Sequence, residues 1–308
     1  MVERALGPLA GEPVEGLDPA FRGCVASDAA VERVWTGGIW TEGPAWLPRE
    51  GLVVWSDIPN DRLLSWSPSD GGVRTFRAPA NGANGNTTDR AGRLVTCEQF
   101  TRRITRTEAD GSISVLVDRV DGSRLTAPND IVVKSDRSIW FTDPDYGRGS
   151  PRYQGEVELS GCHVYRFDPA SGAIRQMTFD MVMPNGLAFS PDETVLYVID
   201  TGSTHREDGP NHIRAFDVAP DGTLTHRAIV AHDENRLFDG LRVDTEGRLW
   251  CGVGEGVRCY GPDGRLLGRI RLPERAANLE FVGPERSQLA ICGTTSLYTV
   301  PVNARPAR

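Results

Sequence analysis

One phrase recurs six times along this chain of 308 residues, and each copy opens with an acid or an amide at the start of an apolar strand pattern. The openings are Glu42 in TEGPAW, Asn84 in ANGNTTD, Asn129 in PNDIVV, Asn185 in PNGLAF, Asp239 in FDGLRVD and Asn278 in ANLEFV. A second apolar strand closes each copy, at Asp57 in VVWSD, Glu98 in LVTCE, Asp143 in IWFTD, Asp200 in LYVID, Val253 in LWCGV and Gly293 in LAICG. Successive ends lie 41, 45, 57, 53 and 40 residues apart. A period of that size is one four-stranded sheet long, and its repetition marks a β-propeller. The expectation is an all-β chain: one six-bladed β-propeller domain over residues 1–308, built of four-stranded antiparallel blades.

Inside each unit the apolar residues alternate at period two between turns rich in Gly, Asp, Asn and Pro, and no helical period is found. The sixth unit has NLEFV, QLAICG and SLYTV but no fourth strand. The stretch AAVERVW near residues 29–35 reads like the fourth strands elsewhere. Pairing it with SLYTV closes the ring with an N-terminal strand and removes two exposed sheet edges. Residues 1–28 are then expected to be a surface strap. Two connections between second and third strands are long, at 143–162 and 200–211. Strand alternation places them over the end of the ring where the opening residues gather, and long loops in a compact domain are usually functional.

Bulk properties narrow the partners. A net charge of −8 argues against nucleic acid or an anionic membrane, which both need a basic footprint. No run approaches the roughly 18 apolar residues of a membrane span. The first residues show no basic cap followed by an apolar core, so the expected compartment is the cytoplasm. Cys24, Cys97, Cys162, Cys251, Cys259 and Cys292 have no metal-ligand spacing and read as reduced structural thiols.

A propeller aims its six opening residues at one axis. Glu42 and Asp239 would bring two negative charges there, and Asn129 and Asn185 neutral amide oxygens. That set suits a hard divalent cation, Ca²⁺ best, with Mg²⁺, Mn²⁺, Fe²⁺ and Zn²⁺ compatible. Singly, Asn-Gly and Asp-Gly pairs mark turns. Six acids or amides in phase, one of them a glutamate, ask for more than turn chemistry.

TEGPAW, PNDIVV followed by SIWFTDPDYG, PNGLAFSPDE with LYVIDTG, and FDGLRVDTEGRLW closely resemble the regucalcin/gluconolactonase family of sugar lactonases, over about residues 40–300. The resemblance implies a six-bladed propeller with one catalytic divalent metal at the base of a funnel, an architecture shared with diisopropyl fluorophosphatase and the paraoxonases. By motif, it implies metal ligands at Glu42, Asn185 and Asp239, with Asn129 either binding the metal or contacting the substrate. Animal members carry an Arg two residues before the position of Asn129, and this chain has Ala127 there. The stretch NGNTTDRAGRLVTCE resembles bacterial gluconolactonase-like members, which implies that Asn84, Asn86 and Glu98 face the substrate. Tyr146 and His205, on the two long loops, are further candidate contacts.

The expected function is metal-dependent hydrolysis of a small, sugar-derived lactone, with Asp239 and Asn129 catalytic. Asp239 is the first choice of general base, and Glu98, Asp143 and Asp200 are the alternatives. No GxSxG nucleophile and no GxxxxGK phosphate loop occurs. The competing readings are an aryl-ester or organophosphate hydrolase on the same scaffold and a non-catalytic Ca²⁺-binding propeller.

Overall fold

The computed structural model describes residues 6–233 and 238–307. Each repeat forms one antiparallel sheet whose strands run outward in chain order, and six sheets stand around an axis as a six-bladed propeller. Blade 1, for example, comprises Thr41–Leu47, Leu52–Asp57, Arg62–Trp66 and Val73–Arg77. In blade 6 the outer position is filled by Glu32–Thr36, which pairs with Ser296–Pro301, so the expected ring closure is present.

The N-terminal segment does more than strap the surface. Gly7–Pro8 adds a fifth strand to blade 6, and Val14–Gly16 adds one to blade 5 beside Leu266–Arg271. A short helix, Pro19–Arg22, buries Phe21 against Trp250 with ring centroids 5.8 Å apart. These pairings cover two outer edges that would otherwise present unpaired amides. Residues 1–5 of the predicted strap lie outside the described residues.

The buried apolar side chains fall into six clusters, one at each interface between neighbouring blades. Adjacent residues of a second strand point to opposite interfaces. Trp140 packs towards blade 4 while Phe141 packs towards blade 2, and Trp250 towards blade 6 while Cys251 packs towards blade 4. Both faces of such a strand are covered, so its sequence is a continuous apolar run such as VLYVI rather than an alternation. All six cysteines are unpaired, five of them buried. Among the described residues no helix is long and apolar enough to cross a membrane.

Near the axis the inner strands approach backbone to backbone. The Gly85 N–H donates to the Asn129 carbonyl at 2.7 Å, and the Gly186 N–H to the Asp239 carbonyl at 3.1 Å. A Cβ on Gly85 would lie 2.4 Å from that Asn129 oxygen, and one on Gly186 would lie 2.5 Å from that of Asp239. The glycines after Asn84 and Asn185 thus serve close packing of the ring, not turns.

Candidate active site

Three second strands end in a carboxylate that holds the chain entering the same blade. Asp143 accepts the backbone N–H groups of Thr126 and Ala127 at 2.8 and 2.7 Å. Asp200 accepts those of Val182 and Met183 at 2.9 and 2.8 Å, and Asp57 that of Ile39 at 3.1 Å. Each clamp grips backbone two or three residues before an opening residue: Asn129, Asn185 and Glu42. The geometry corrects the reading of Asp143 and Asp200 as alternative general bases, because their oxygens are spent on buried amides.

With the entries fixed, the opening residues converge on a cavity of about 310 Å³ at the mouth of the ring. Its floor carries Glu42, Asn84, Asn129, Asn185 and Asp239. The Glu42 carboxylate accepts its neighbour's N–H, from Gly43, at 2.6 Å. Burial lifts Glu42 well above the usual carboxylate range, and the negative charges of Asp239 and Asp130 add to the effect. Burial also raises Asp239 to about 7, against hydrogen bonds from Asn185 and Glu42 and the charge of Arg275, which pull it down. Two carboxyl groups in hydrogen-bonding contact hold a proton more readily than either would alone.

Two polar atoms of the cavity residues are buried without a protein partner, the Asn84 Oδ1 acceptor and the Gln99 Nε2 donor. Among the described residues no three His, Cys, Asp or Glu gather as a metal cluster. The floor instead combines two carboxylates with amide oxygens, one of them unsatisfied. That donor set fits a hard, oxygen-seeking divalent cation better than zinc.

The walls come from several blades. Loop 143–162 brings Tyr146, whose hydroxyl lies 3.2 Å from the Thr204 Oγ1 on loop 200–211, so both long loops do reach the mouth. Arg102 anchors the first of these loops, donating to the carbonyls of Gln154 and Glu156 at 3.2 and 2.7 Å. Trp40, Ile58, Pro59 and Phe238 form an apolar wall, and Arg275 stands beside it. Below the floor, the sixth opening residue, Asn278, donates to Asp130 at 3.4 Å. Arg242 lies 3.7 Å from Asp130 and 2.9 Å from Glu280, and this buried network separates the mouth from a second cavity at the other end of the axis.

Three expected contacts lie elsewhere. Asn86 is fully buried and donates to the Gly43 and Asn84 carbonyls and to Ser56 Oγ at 2.8, 2.9 and 2.9 Å, so it braces two inner strands. Glu98 is also fully buried, accepting hydrogen bonds from Arg77, Asn81, Thr101, Arg103 and Thr105. That network takes its acceptors, and the next residue, Gln99, faces the cavity in its place. His205 is outside the lining, with its Nδ1 2.9 Å from Thr204 Oγ1 and its Nε2 3.3 Å from Asp145.

A blind cavity floored by paired carboxylates and amides is what several motifs had implied. The SMP-30/gluconolactonase/LRE-like region matches residues 40–295 of this chain. The chain belongs to this family. The gluconolactonase of Zymomonas mobilis is 30% identical over 253 residues, covering 75% of this chain and 69% of that one. Regucalcin of Danio rerio is 25% identical over 269 residues, covering 83% and 82%. Among solved structures, a gluconolactonase of Xanthomonas campestris is 37% identical, covers 98% of each chain and has a TM-score of 0.89.

Within this family fold the sequence reading missed Trp40, Ile58, Pro59, Gln99, Thr201, Thr204, Phe238 and Arg275 as lining residues. Trp40 and Phe238 flank two of the opening motifs, a signal that was available. Gln99 and Arg275 gave none, because their approach to the axis depends on the curvature of the loops that carry them.

Proposed function

We propose that the protein is a divalent-metal-dependent hydrolase of a small, sugar-derived lactone. The observation that carries the reading is the cavity floor, where Glu42 and Asp239 stand together beside an unsatisfied amide oxygen of Asn84 and an unsatisfied amide donor of Gln99. The names of the relatives, two of them gluconolactonases, support the same substrate class.

A divalent cation, Ca²⁺ by the all-oxygen donors, would be held by Glu42, Asp239, Asn185 and Asn129, and would supply polarisation of the ring carbonyl and acidification of water. Asp239 accepts the proton of the attacking water and returns it to the ring oxygen as the C–O bond breaks, leaving a hydroxy acid. Asn84 and Gln99 offer an acceptor and a donor to hydroxyl groups of the sugar, which fixes the carbonyl relative to Asp239. Tyr146 closes the cavity from above, its hydroxyl bound to Thr204. The apolar wall of Trp40, Ile58, Pro59 and Phe238 limits the number of waters that compete with the substrate.

The test is chelator-treated protein assayed for proton release from D-glucono-δ-lactone as Ca²⁺, Mg²⁺, Mn²⁺, Fe²⁺ and Zn²⁺ are returned singly. Recovery with one or more ions is the expected outcome. Full activity in the chelated, metal-free protein would end the metal-dependent reading, and binding of an ion without turnover of any lactone would end the lactonase reading.

A further inference from the structure

Among the described residues that line the cavity, Arg275 is the one cation. Its guanidinium lies over the Trp40 ring, 5.5 Å from the centroid, which holds its plane without using its N–H donors. The adjacent carboxylate is committed elsewhere: Glu274 accepts the Thr295 N–H at 2.6 Å, the Thr295 hydroxyl at 3.0 Å and the Tyr298 hydroxyl at 2.7 Å. No hydrogen bond or ion pair joins the Arg275 guanidinium to any described residue. Its charge is felt at Asp239, so it belongs electrically to the site.

The charges of the floor leave that guanidinium over. Glu42 and Asp239 together match one divalent cation, and a neutral lactone would then meet a cavity of net positive charge. We infer that Arg275 selects lactones that carry an anionic substituent remote from the ring carbonyl, a carboxylate, sulfonate or phosphate. The inference rests on the lactonase reading above. Arg275 immediately precedes the inner strand of blade 6, Ala276–Val282, and Trp40 immediately precedes that of blade 1, Thr41–Leu47. Tyr146 and Thr204 arrive on loops of blades 3 and 4, across the axis. A ligand whose carbonyl is at the floor therefore reaches Arg275 with a substituent on the blade 6 side. A guanidinium fixed on an aromatic face, with five unused donors, is well formed for bidentate capture of an oxyanion.

The experiment compares kcat/KM for three lactones on metal-loaded protein: neutral D-glucono-1,5-lactone, 6-phospho-D-glucono-1,5-lactone and D-glucaro-1,4-lactone. The readout is the ratio of each anionic lactone to the neutral one. Arg275→Gln is expected to lower that ratio by about tenfold to a hundredfold, mainly through KM, and Arg275→Lys to restore part of it. A ratio unchanged by Arg275→Gln, with all three lactones weakened alike, overturns the inference and assigns the guanidinium to the reacting carboxyl instead. Wild-type protein that hydrolyses none of the three refutes the lactonase reading. The anion preference is then decided by calorimetric binding of the open acids, gluconate against 6-phosphogluconate and glucarate. Equal affinities, or a preference that survives Arg275→Gln, would overturn it.

Discussion

Replacing Asp200 by Asn separates a clamp from a catalyst. Asp200 is 1% exposed, and its two oxygens accept the Val182 and Met183 N–H groups at 2.9 and 2.8 Å. An amide of the same shape keeps one acceptor and turns an NH₂ towards the other N–H. One charge-assisted bond, about 1.5–3 kcal/mol, is lost, and one buried donor is left unsatisfied at about 1–3 kcal/mol. A total of about 2.5–6 kcal/mol is expected. With about 2.1 cal/mol/K per residue of unfolding entropy over 308 residues, the Tm should fall by about 4–9 °C. Asn185 is two residues beyond the gripped Met183, so cation affinity or turnover should also drop, by about ten- to a hundredfold for a lost supporting contact. Differential scanning calorimetry and lactone turnover read the two effects on one preparation. A Tm equal to that of the wild type would refute the clamp. If activity vanished at that unchanged Tm, Asp200 would be a general base after all.

Asp239→Ala should abolish both tight cation binding and hydrolysis. Because burial, with the charge of Asp130 adding to it, raises the folded-state pKa of Asp239 to about 7, its ionisation costs stability, a penalty full above that pH and gone below the unfolded value of about 4. The metal-free variant should therefore melt higher than metal-free wild type at pH 8, with the gap closing towards pH 4; a lower Tm at pH 8 would contradict the repulsion. For the same reason a cation must displace a proton from the Glu42–Asp239 pair, so affinity should rise with pH from 5 to 8. Calorimetry in buffers of different ionisation enthalpy would show the released proton, and a pH-independent affinity would count against these carboxylates as ligands. Gly186→Ala forces a Cβ to within 2.5 Å of the Asp239 carbonyl oxygen and should cost about 1–3 kcal/mol or more by strain. Urea denaturation monitored by tryptophan fluorescence measures it, and a near-neutral result would mean that the inner strands can part.

The repeat made the architecture legible because a blade length and a strand-end acid both survive in linear order. Closure by the segment near AAVERVW was readable for the same reason: an incomplete sixth unit leaves an unpaired edge that some strand must fill. Glu42, Asn129, Asn185 and Asp239 were legible as a set because strand phase alone aims them at the axis. Glu98 was misread because its period-two position is right but four blades' worth of acid-ended strands hide two different uses: Asp57, Asp143 and Asp200 clamp backbone N–H groups, whereas Glu98 is taken up by side-chain donors alone, a difference no linear pattern shows. Asn86 sits on the same strand as Asn84 and on the same side, yet its amide is consumed by the Gly43 carbonyl of the neighbouring blade, a contact between residues 43 apart that no local pattern announces. Arg275 was invisible because nothing in its own segment distinguishes a guanidinium that lacks an acid from the many that have one.

The pairing of Ser296–Pro301 with Glu32–Thr36 also governs when the protein can work during its synthesis. Thr41, the neighbour of Glu42, donates its hydroxyl to the Gly293 carbonyl and its N–H to that of Thr294. The first acid of the floor therefore takes its place only after residues made some 250 positions later have left the ribosome. Bringing the two ends of a segment that long together costs about 5 kcal/mol of chain entropy, to be recovered from the blade 6 pairings and the interface beside Trp35. Until then a growing chain holds a row of finished blades and an unfinished centre. Turnover by a ribosome-bound nascent chain would thus begin abruptly once Ser296–Pro301 has emerged, and catalysis itself would time the closing of the ring.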